Sequence, residues 1–514
     1  MTLSAAAILA DTAMRRPEHP AVVFEDEAVT YQELWDGARR CATVLLDLGF
    51  RAGDRIALLL PNTPHFPRVY FAVLAIGAVA VPVHGLLLSG EIGYVLRDSE
   101  AAVLVCGAAM LGEGAVAAEA EGVPVLTVMA DEEEDGRPRL DVLAATAEPA
   151  DVPVPRAPDD LAVVLYTSGT TGLPKGAMIT HLNLVLNVVT TAVAPFGFRP
   201  EDVLLGCLPL FHTFGQVCGM ATCFLAGGTL VLMPRFDARA ALELMVAEGC
   251  TVFMGVPTMY LDLLDAAAAD PRRPPLDRAF SGGSALPVAV LERFEAEFGC
   301  PVYEGYGLTE TSPVVAYNQV CWPRRPGTVG KPIRGVEVAI ARADVEGRID
   351  VLPPGEVGEV VIRGHNVMAG YLGRPAATAE AIVDGWFRSG DLGALDADGY
   401  LSIVDRKKDM VIRGGHNVYP REVEDLLARH PDIAQVSVIG VPDDRYGEEV
   451  CAVVRVRPGV PADRARAAAI VEWAKARIAP HKYPRLVRFT RDFPLGPSGK
   501  VLKRDLVARY AAGP

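Results

Sequence analysis

The sequence predicts an α/β architecture of layered, mostly parallel sheets, and three observations carry that prediction. Short continuous apolar runs recur along the first half of the chain: "RIALLL", "AAVLVC", "PVLTVM", "LAVVLY", "GTLVLM" and "CTVFMGV". Stretches of helical period separate them, the signature of βαβ units whose strands are buried on both faces. A length of 514 residues also exceeds what one hydrophobic core supports, so more than one domain is expected.

The elements follow in order from "AVVF" onward. "VYFAVLAIGAVAVPVHGLLL" (Val69 to Leu88) is twenty residues without a formal charge, long enough for a bilayer. Gly77, Pro82, His84 and Gly85 interrupt it, so it reads as a buried helix followed by a core strand, "AVAVPV". "MADEEEDGRPRLDVL" (129 to 143) reads as a charged, solvated surface loop. After about residue 325 the texture changes to Gly/Pro-punctuated strands ("VEVAIA", "GEVGEVVIRG", "GYLSIV"), a small β-rich subdomain spanning about 325–405. A further change comes at "VDRKKDMVIRGGHNVYPREVEDLLARH", where Pro420 suits a first helical position and Val423, Leu426 and Leu427 form one apolar face. Strands "AQVSVIGV", "VCAVVRV" and "LVRFT" flank the helix "DRARAAAIVEWAKARIA". The expected division is therefore a large N-terminal domain, residues 1–405, and a small α+β C-terminal domain, residues 406–514.

With 49 basic against 64 acidic residues the formal charge is −15. A surface that acidic repels nucleic acid and anionic lipid, so any anionic ligand needs a local site. The nine cysteines are scattered without a CxxC pair, which reads as buried free thiols in a reducing cytoplasm. "MTLSAAAILADTAMRRPEHP" places its arginines after the apolar part and an aspartate within it, the reverse of a secretory signal. A cytoplasmic chain without a transmembrane segment is expected.

"YTSGTTGLPKGAMITH" (166 to 181) follows the apolar run "LAVVLY" but has too few apolar side chains to pack a core. Consecutive glycines and hydroxyl residues after a strand offer backbone N–H and O–H groups to one concavity, which is how phosphate oxygens are held. The stretch departs from the Walker pattern, because Lys175 follows Gly169 by six residues and Gly176 comes next.

This loop resembles the phosphate loop of the adenylate-forming superfamily of acyl-CoA synthetases, luciferases and peptide-synthetase adenylation domains. Further stretches stand in that family's order: "PLFHTFG" (209 to 215), "SGGSAL" (281 to 286), "EGYGLTETSP" (304 to 313), "RSGDLG" (388 to 393), "VDRKKDMVIRGGHNVYPREVE" (404 to 424) and "GPSGKVLKR" (496 to 504). The resemblance implies an acid–thiol ligase using ATP, Mg²⁺ and CoA. A carboxylate attacks the α-phosphate of ATP to give acyl-AMP and pyrophosphate, and a thiol then displaces AMP. Two anions meet in the first step, so catalysis is mainly alignment and charge neutralisation.

By resemblance, Thr167, Ser168, Gly169, Thr170, Thr171, Gly172 and Lys175 hold the β- and γ-phosphates. Thr309 touches the α-phosphate, and Glu310 with Thr167 holds Mg²⁺. Gly283, Ser284, Glu304, Gly305, Tyr306 and Gly307 belong to the ATP site, with the Tyr306 ring stacked on adenine. Asp391 accepts both ribose hydroxyls, a task suited to a carboxylate with two acceptor oxygens, and Arg406 contacts ribose and phosphate. Lys500 is the catalytic cation bridging the attacking carboxylate and the α-phosphate. Lys408 aligns with the hinge of a mobile C-terminal domain, whose rotation withdraws Lys500 and brings Gly414 and Gly415 toward a pantetheine arm. His212 gates the acyl site, which includes Thr213, Phe214, Val256, Gly282, Gly283 and Gly305.

The chain departs from the pattern at His416, where many relatives have Glu or Phe, at Ile412, where many have Lys, and at Leu495-Gly496, often Lys-Thr. No Asp lies between Pro209 and Gly219 to pair a substrate ammonium, and no Arg lies in "TMYLDLL" for a second carboxylate. An apolar acid is expected, a medium- or long-chain fatty acid ahead of an aryl acid. CoA is the expected acceptor, with a carrier protein or another nucleophile as the alternative. The oligomeric state is not legible.

Overall fold

The computed structural model describes residues 3–130, 136–167, 173–496 and 501–510. Its architecture is mixed α/β, with a large N-terminal and a small C-terminal domain. Among the described residues the strands form four sheets, of nine, seven, five and five strands.

The continuous apolar runs are buried parallel strands. Arg55–Leu59 pairs with Val79–Pro82 on one side and Val103–Gly107 on the other, and Val103–Gly107 with Val125–Val128. The uncharged stretch near residue 69 divides into the helix His65–Ala75 and the strand Val79–Pro82. Gly77, at φ +73°, makes the turn between them, a conformation glycine adopts without penalty. No helix of the described residues is long and apolar enough to cross a membrane. This seven-stranded sheet continues through Leu161–Thr167, its antiparallel partner Lys175–Thr180 and the short strand Gly370–Tyr371.

The nine-stranded sheet places four parallel strands side by side: Val203–Gly206, Val252–Gly255, Arg278–Ser281 and Val302–Gly307. All four end at the same edge, the position where open α/β sheets hold ligands. Helix Tyr31–Asp47 starts with a reciprocal Thr30–Glu33 cap, and His181–Val193 with a Thr180–Asn183 cap. Such caps satisfy helix-terminal N–H groups for about 1 kcal/mol each. The first helix packs on His65–Ala75 and carries Trp35 into a core with Phe66, Tyr70 and Phe71.

The β-rich segment is an antiparallel sheet of Val336–Ala341, Gly358–Gly364, Trp386–Leu395 and Leu401–Arg406, with Ile382–Val383 at its edge. In the C-terminal domain, helices Pro420–Leu427 and Arg464–Lys475 bury Val423, Leu427, Ile470 and Ala474 against one face of Ile433–Asp443 and Gly447–Val456. Helix Lys503–Tyr510 buries Leu506 against Ile439 and Cys451 on the other. Arg421 ties the two domains, its N–H donating to Asp405 Oδ2 at 3.0 Å and its guanidinium to Ile403 O at 2.5 Å.

Two expectations need correction. The stretch 129–143 is not all solvated loop, because Leu140 is fully buried and opens the helix Leu140–Thr146. Asp141 folds that end back by accepting the Met129 N–H at 3.1 Å. One leucine among charges carries no periodicity, so the pattern hid it. Cys321 is exposed, unlike the other eight cysteines, since it sits in the turn after strand Val314–Tyr317 rather than in a core element.

Candidate active site

Thr167 ends one strand and Lys175 begins its antiparallel partner, directly opposite in register. The phosphate-loop candidate is thus the connection of a hairpin, and the next helix, His181–Val193, begins only beyond the second strand. Ser168, Gly169, Thr170, Thr171 and Gly172 lie outside the described residues. The Lys175 ammonium lies over the Tyr371 ring, 5.0 Å from its centroid, and the Tyr371 hydroxyl donates to Glu310 Oε1 at 3.0 Å. Burial, then the Glu310 charge, hold that phenol protonated far above its ordinary range. Glu310 sits with Thr309 in a single tight turn, Thr309–Thr311, closed by Thr311 Oγ1, which accepts from Leu308 N at 3.0 Å and donates to Pro313 O at 2.7 Å.

Beside this chain, Tyr166 donates to Asp98 Oδ2 at 2.9 Å and Arg374 to Asp98 Oδ1 at 2.7 Å. Asp98, Tyr371 and Arg374 brace both flanks of the loop, and the sequence reading missed all three. The "GYLGR" that carries two of them joins the sheet through Gly370 and Tyr371 pairing with Met178 and Ala177, a contact nearly two hundred residues away that no local pattern marks.

On the nine-stranded sheet, the Tyr306 hydroxyl donates to Asp391 Oδ2 at 2.6 Å. Arg406 Nε approaches Asp391 Oδ1 at 3.5 Å, and the two residues face each other in adjacent strands. Asp391 is only 6% exposed. Burial and the Asp391 charge raise the Tyr306 phenol well above its usual range, so it remains a donor. Tyr306 comes from the nine-stranded sheet and Asp391 from the β-rich one, so their bond joins the two sheets. Gly305 lies flat against the Tyr317 ring, and at Gly307 a Cβ would stand 2.2 Å from Pro313 O. Glu304 is buried, accepts the Gly327 N–H at 3.1 Å, and is pushed up to about 7 chiefly by burial. Gly283 (φ +84°) and Ser284 are exposed just beyond Arg278–Ser281.

Leu208, Pro209, His212, Phe214, Gly215, Val256 and Gly283 line an apolar cleft whose void is ≈ 10 Å³. That is about the room one water needs, so any larger ligand must displace part of the wall. His212 Nδ1 accepts the Phe214 N–H at 3.2 Å, and a Cβ on Gly282 would meet the Phe214 ring at 3.2 Å. The structure therefore gathers His212, Phe214, Val256, Gly282 and Gly283. Thr213 is buried behind them, and Gly305 faces Tyr317 rather than the cleft.

Lys408 is exposed just after Leu401–Arg406, and partial desolvation followed by Arg406 lowers its ammonium pKa. Gly414 and Gly415 (φ +56° and +81°) form the tip of a hairpin and are exposed together with His416. In this arrangement helix Pro420–Leu427 lies toward Asp405, while the hairpin tip is exposed to solvent. Lys500 lies outside the described residues, and Leu495 and Val501 bracket its segment with a bridge.

The chain matches the AMP-binding enzyme family over residues 9–372 and the AMP-binding enzyme C-terminal domain over residues 422–500. The feruloyl-CoA synthase of Amycolatopsis sp is 41% identical over 506 residues, covering 96% of each chain. A long-chain-fatty-acid–CoA ligase of Bacillus subtilis is 32% identical, covering 97% of this chain and 93% of that one. The solved benzoate CoA ligase of Burkholderia xenovorans LB400 superposes with a TM-score of 0.90 at 28% identity, over 98% and 99% of the two chains. On these matches the chain belongs to the AMP-binding, adenylate-forming enzymes and is an acyl-CoA synthetase that uses ATP and CoA.

Proposed function

We propose that this enzyme joins an apolar carboxylic acid to CoA in two half-reactions within the crevice. The observation that carries the reading is that Tyr306, which donates to Asp391 beside Arg406, and Glu310, which accepts from Tyr371 beside Lys175, both lie at the carboxyl end of one parallel strand, Val302–Gly307, and in the turn that follows it. Asp391 accepts the ribose hydroxyls and Tyr306 stacks on adenine, with Gly283, Ser284, Glu304, Gly305 and Gly307 shaping the slot. Thr167, Ser168, Gly169, Thr170, Thr171, Gly172 and Lys175 hold the β- and γ-phosphates, and Thr309 holds the α-phosphate. Glu310 and Thr167 suit Mg²⁺: a carboxylate and a hydroxyl are hard oxygen donors that leave most of the shell to phosphate and water. The ion, when bound, neutralises charge on the leaving pyrophosphate.

Lys500 aligns the acid carboxylate, whose oxygen bonds to the α-phosphorus as the bond to pyrophosphate breaks. Rotation about Lys408, dividing residues 1–405 from 406–514, then brings Gly414 and Gly415 inward. The thiol sulfur bonds to the acyl carbon, AMP leaves and the thiol proton passes to solvent. We place the chain in the cytoplasm, with small-molecule partners and no nucleic acid.

The apolar lining supports a fatty acid, in line with the Bacillus relative. A flat aryl acid is the second reading, favoured by the narrow slot, which a ring opens with less displacement than a long alkyl chain, and by the feruloyl- and benzoate-CoA relatives. Pyrophosphate release across saturated and aryl acids, with and without CoA, tests the proposal. Release that requires an apolar acid and yields acyl-CoA supports it. Acyl-AMP accumulating despite CoA points instead to a carrier protein or another nucleophile. Lys500→Ala is expected to abolish acyl-AMP formation yet convert supplied acyl-AMP to thioester, and equal loss in both steps refutes the alternation.

A further inference from the structure

The cleft wall from Leu208 to His212 is a loop without regular backbone pairing, and two buried amides hold its centre. The Leu210 N–H donates to Asn62 Oδ1 at 3.0 Å, and Leu210 O accepts from Gln216 Nε2 at 3.1 Å. Asn62 Nδ2 also donates to Leu208 O at 2.8 Å, so one side chain grips two wall residues from the far sheet. Gln216 is fully buried within the π-helical segment Phe214–Ala221, and its N–H donates to His212 O at 2.9 Å. Its Oε1 accepts from the Tyr70 hydroxyl at 3.2 Å, so both ends of this amide are engaged. The wall cannot relax toward Gly215, where a Cβ would already stand 2.4 Å from Pro209 O. None of the three polar side chains lines the cleft; of the residues they hold, Leu208 lines it and Leu210 stands between the lining residues Pro209 and His212.

We infer that Asn62 and Gln216, the latter oriented by Tyr70, are positioning residues that set acid selectivity by fixing the Leu208–His212 wall. This rests on the reading of that cleft as the acid site. A wall fixed at its middle admits an acid only by local displacement at His212 and Phe214. Freeing Leu210 lets the whole wall recede, which favours bulkier acids, while the ATP-side cluster of Asp391 and Tyr306 lies on other elements.

The test is steady-state kinetics of the full chain over benzoate, a phenylpropenoate, octanoate and palmitate, with the melting temperature recorded for each variant. Gln216→Met keeps the shape and removes the bond to Leu210. It is expected to shift the ratio of kcat/KM between the largest and smallest accepted acids by about tenfold, the ratio that goes with one lost hydrogen bond. The KM for ATP is expected to stay within about twofold. Tyr70→Phe, which leaves the Leu210 bond in place, is expected to shift the ratio less. Where Gln216→Met does not fold, Asn62→Ala takes its place in the same panel. Val256→Ala, a lining residue, separates the two readings. If it moves selectivity and the amide variants do not, the inference is wrong; if neither moves it, the acid site itself is elsewhere. A parallel loss for every acid also overturns the inference, since that marks a merely structural role.

Discussion

Replacing Gly305 by alanine is the most informative single perturbation. A Cβ built there stands 1.9 Å from Tyr317 Cε2 and 2.1 Å from Cδ2, on the residue directly opposite in the antiparallel register. Ordinary carbon contact needs roughly 1.5–2 Å more. The ring has no room to yield: its hydroxyl donates to Ser281 O at 3.0 Å, and its faces and edges meet Phe196 at 5.1 Å and Phe280 at 6.0 Å. The strand must therefore move, taking Tyr306 away from Asp391. Overpacking costs about 1–3 kcal/mol, and breaking the Tyr317 hydrogen bond about 1 more, so Gly305→Ala is expected to lose about 2–4 kcal/mol of stability. A shift of about 1 Å at a positioning strand costs on the order of a hundredfold in turnover. Denaturant midpoints and ATP–pyrophosphate exchange measure the two. In a Tyr317→Ala background the same substitution is expected to cost almost nothing more, because the clash partner is gone. Wild-type stability and exchange for Gly305→Ala, or additive losses in the double variant, refute the reasoning.

Tyr306→Phe removes a donor to a buried carboxylate, a bond worth about 1.5–3 kcal/mol, so kcat/KM for ATP is expected to fall at least about tenfold with the acid profile unchanged. Glu304 has its native pKa raised from 4.5 to about 7, so the native state holds a proton that the unfolded state has lost between those values. Stability is accordingly lost as pH rises through that window, by up to about 3 kcal/mol; Glu304→Gln is expected to flatten the curve, and equal slopes in equilibrium denaturation would contradict the burial argument. Cys321 is the exposed thiol, whereas burial pushes Cys41, Cys106, Cys207, Cys250 and Cys300 up to about 12, so a maleimide is expected to label one equivalent in native protein and nine after unfolding. Cys321→Ser abolishes the native label, and a second fast equivalent would show a core that opens.

Much of the architecture was legible because burial on both faces leaves a parallel strand no polar positions: "RIALLL" and "CTVFMGV" could hardly be anything else. The helix at Leu140 escaped notice because one buried side chain among charges has no period. The exposure of Cys321 escaped for a related reason, since a lone residue in a turn carries no burial signal.

By itself the sequence determined which chemical groups are present and in what order: the hydroxyl- and glycine-rich loop, Glu310, Tyr306, Asp391 and Arg406, each within a short stretch whose residue types suit one task. Only the tertiary structure decided which of them meet, and what holds them. Tyr306 reaches Asp391 across two sheets, Tyr371 links Glu310 to Lys175, and Asn62 and Gln216 clamp Leu210 from opposite sides. The reason is physical: hydrogen bonds and packing act over a few ångströms in space, whereas sequence patterns report only periodicities of a few residues along the chain, and a single tyrosine or amide carries no period.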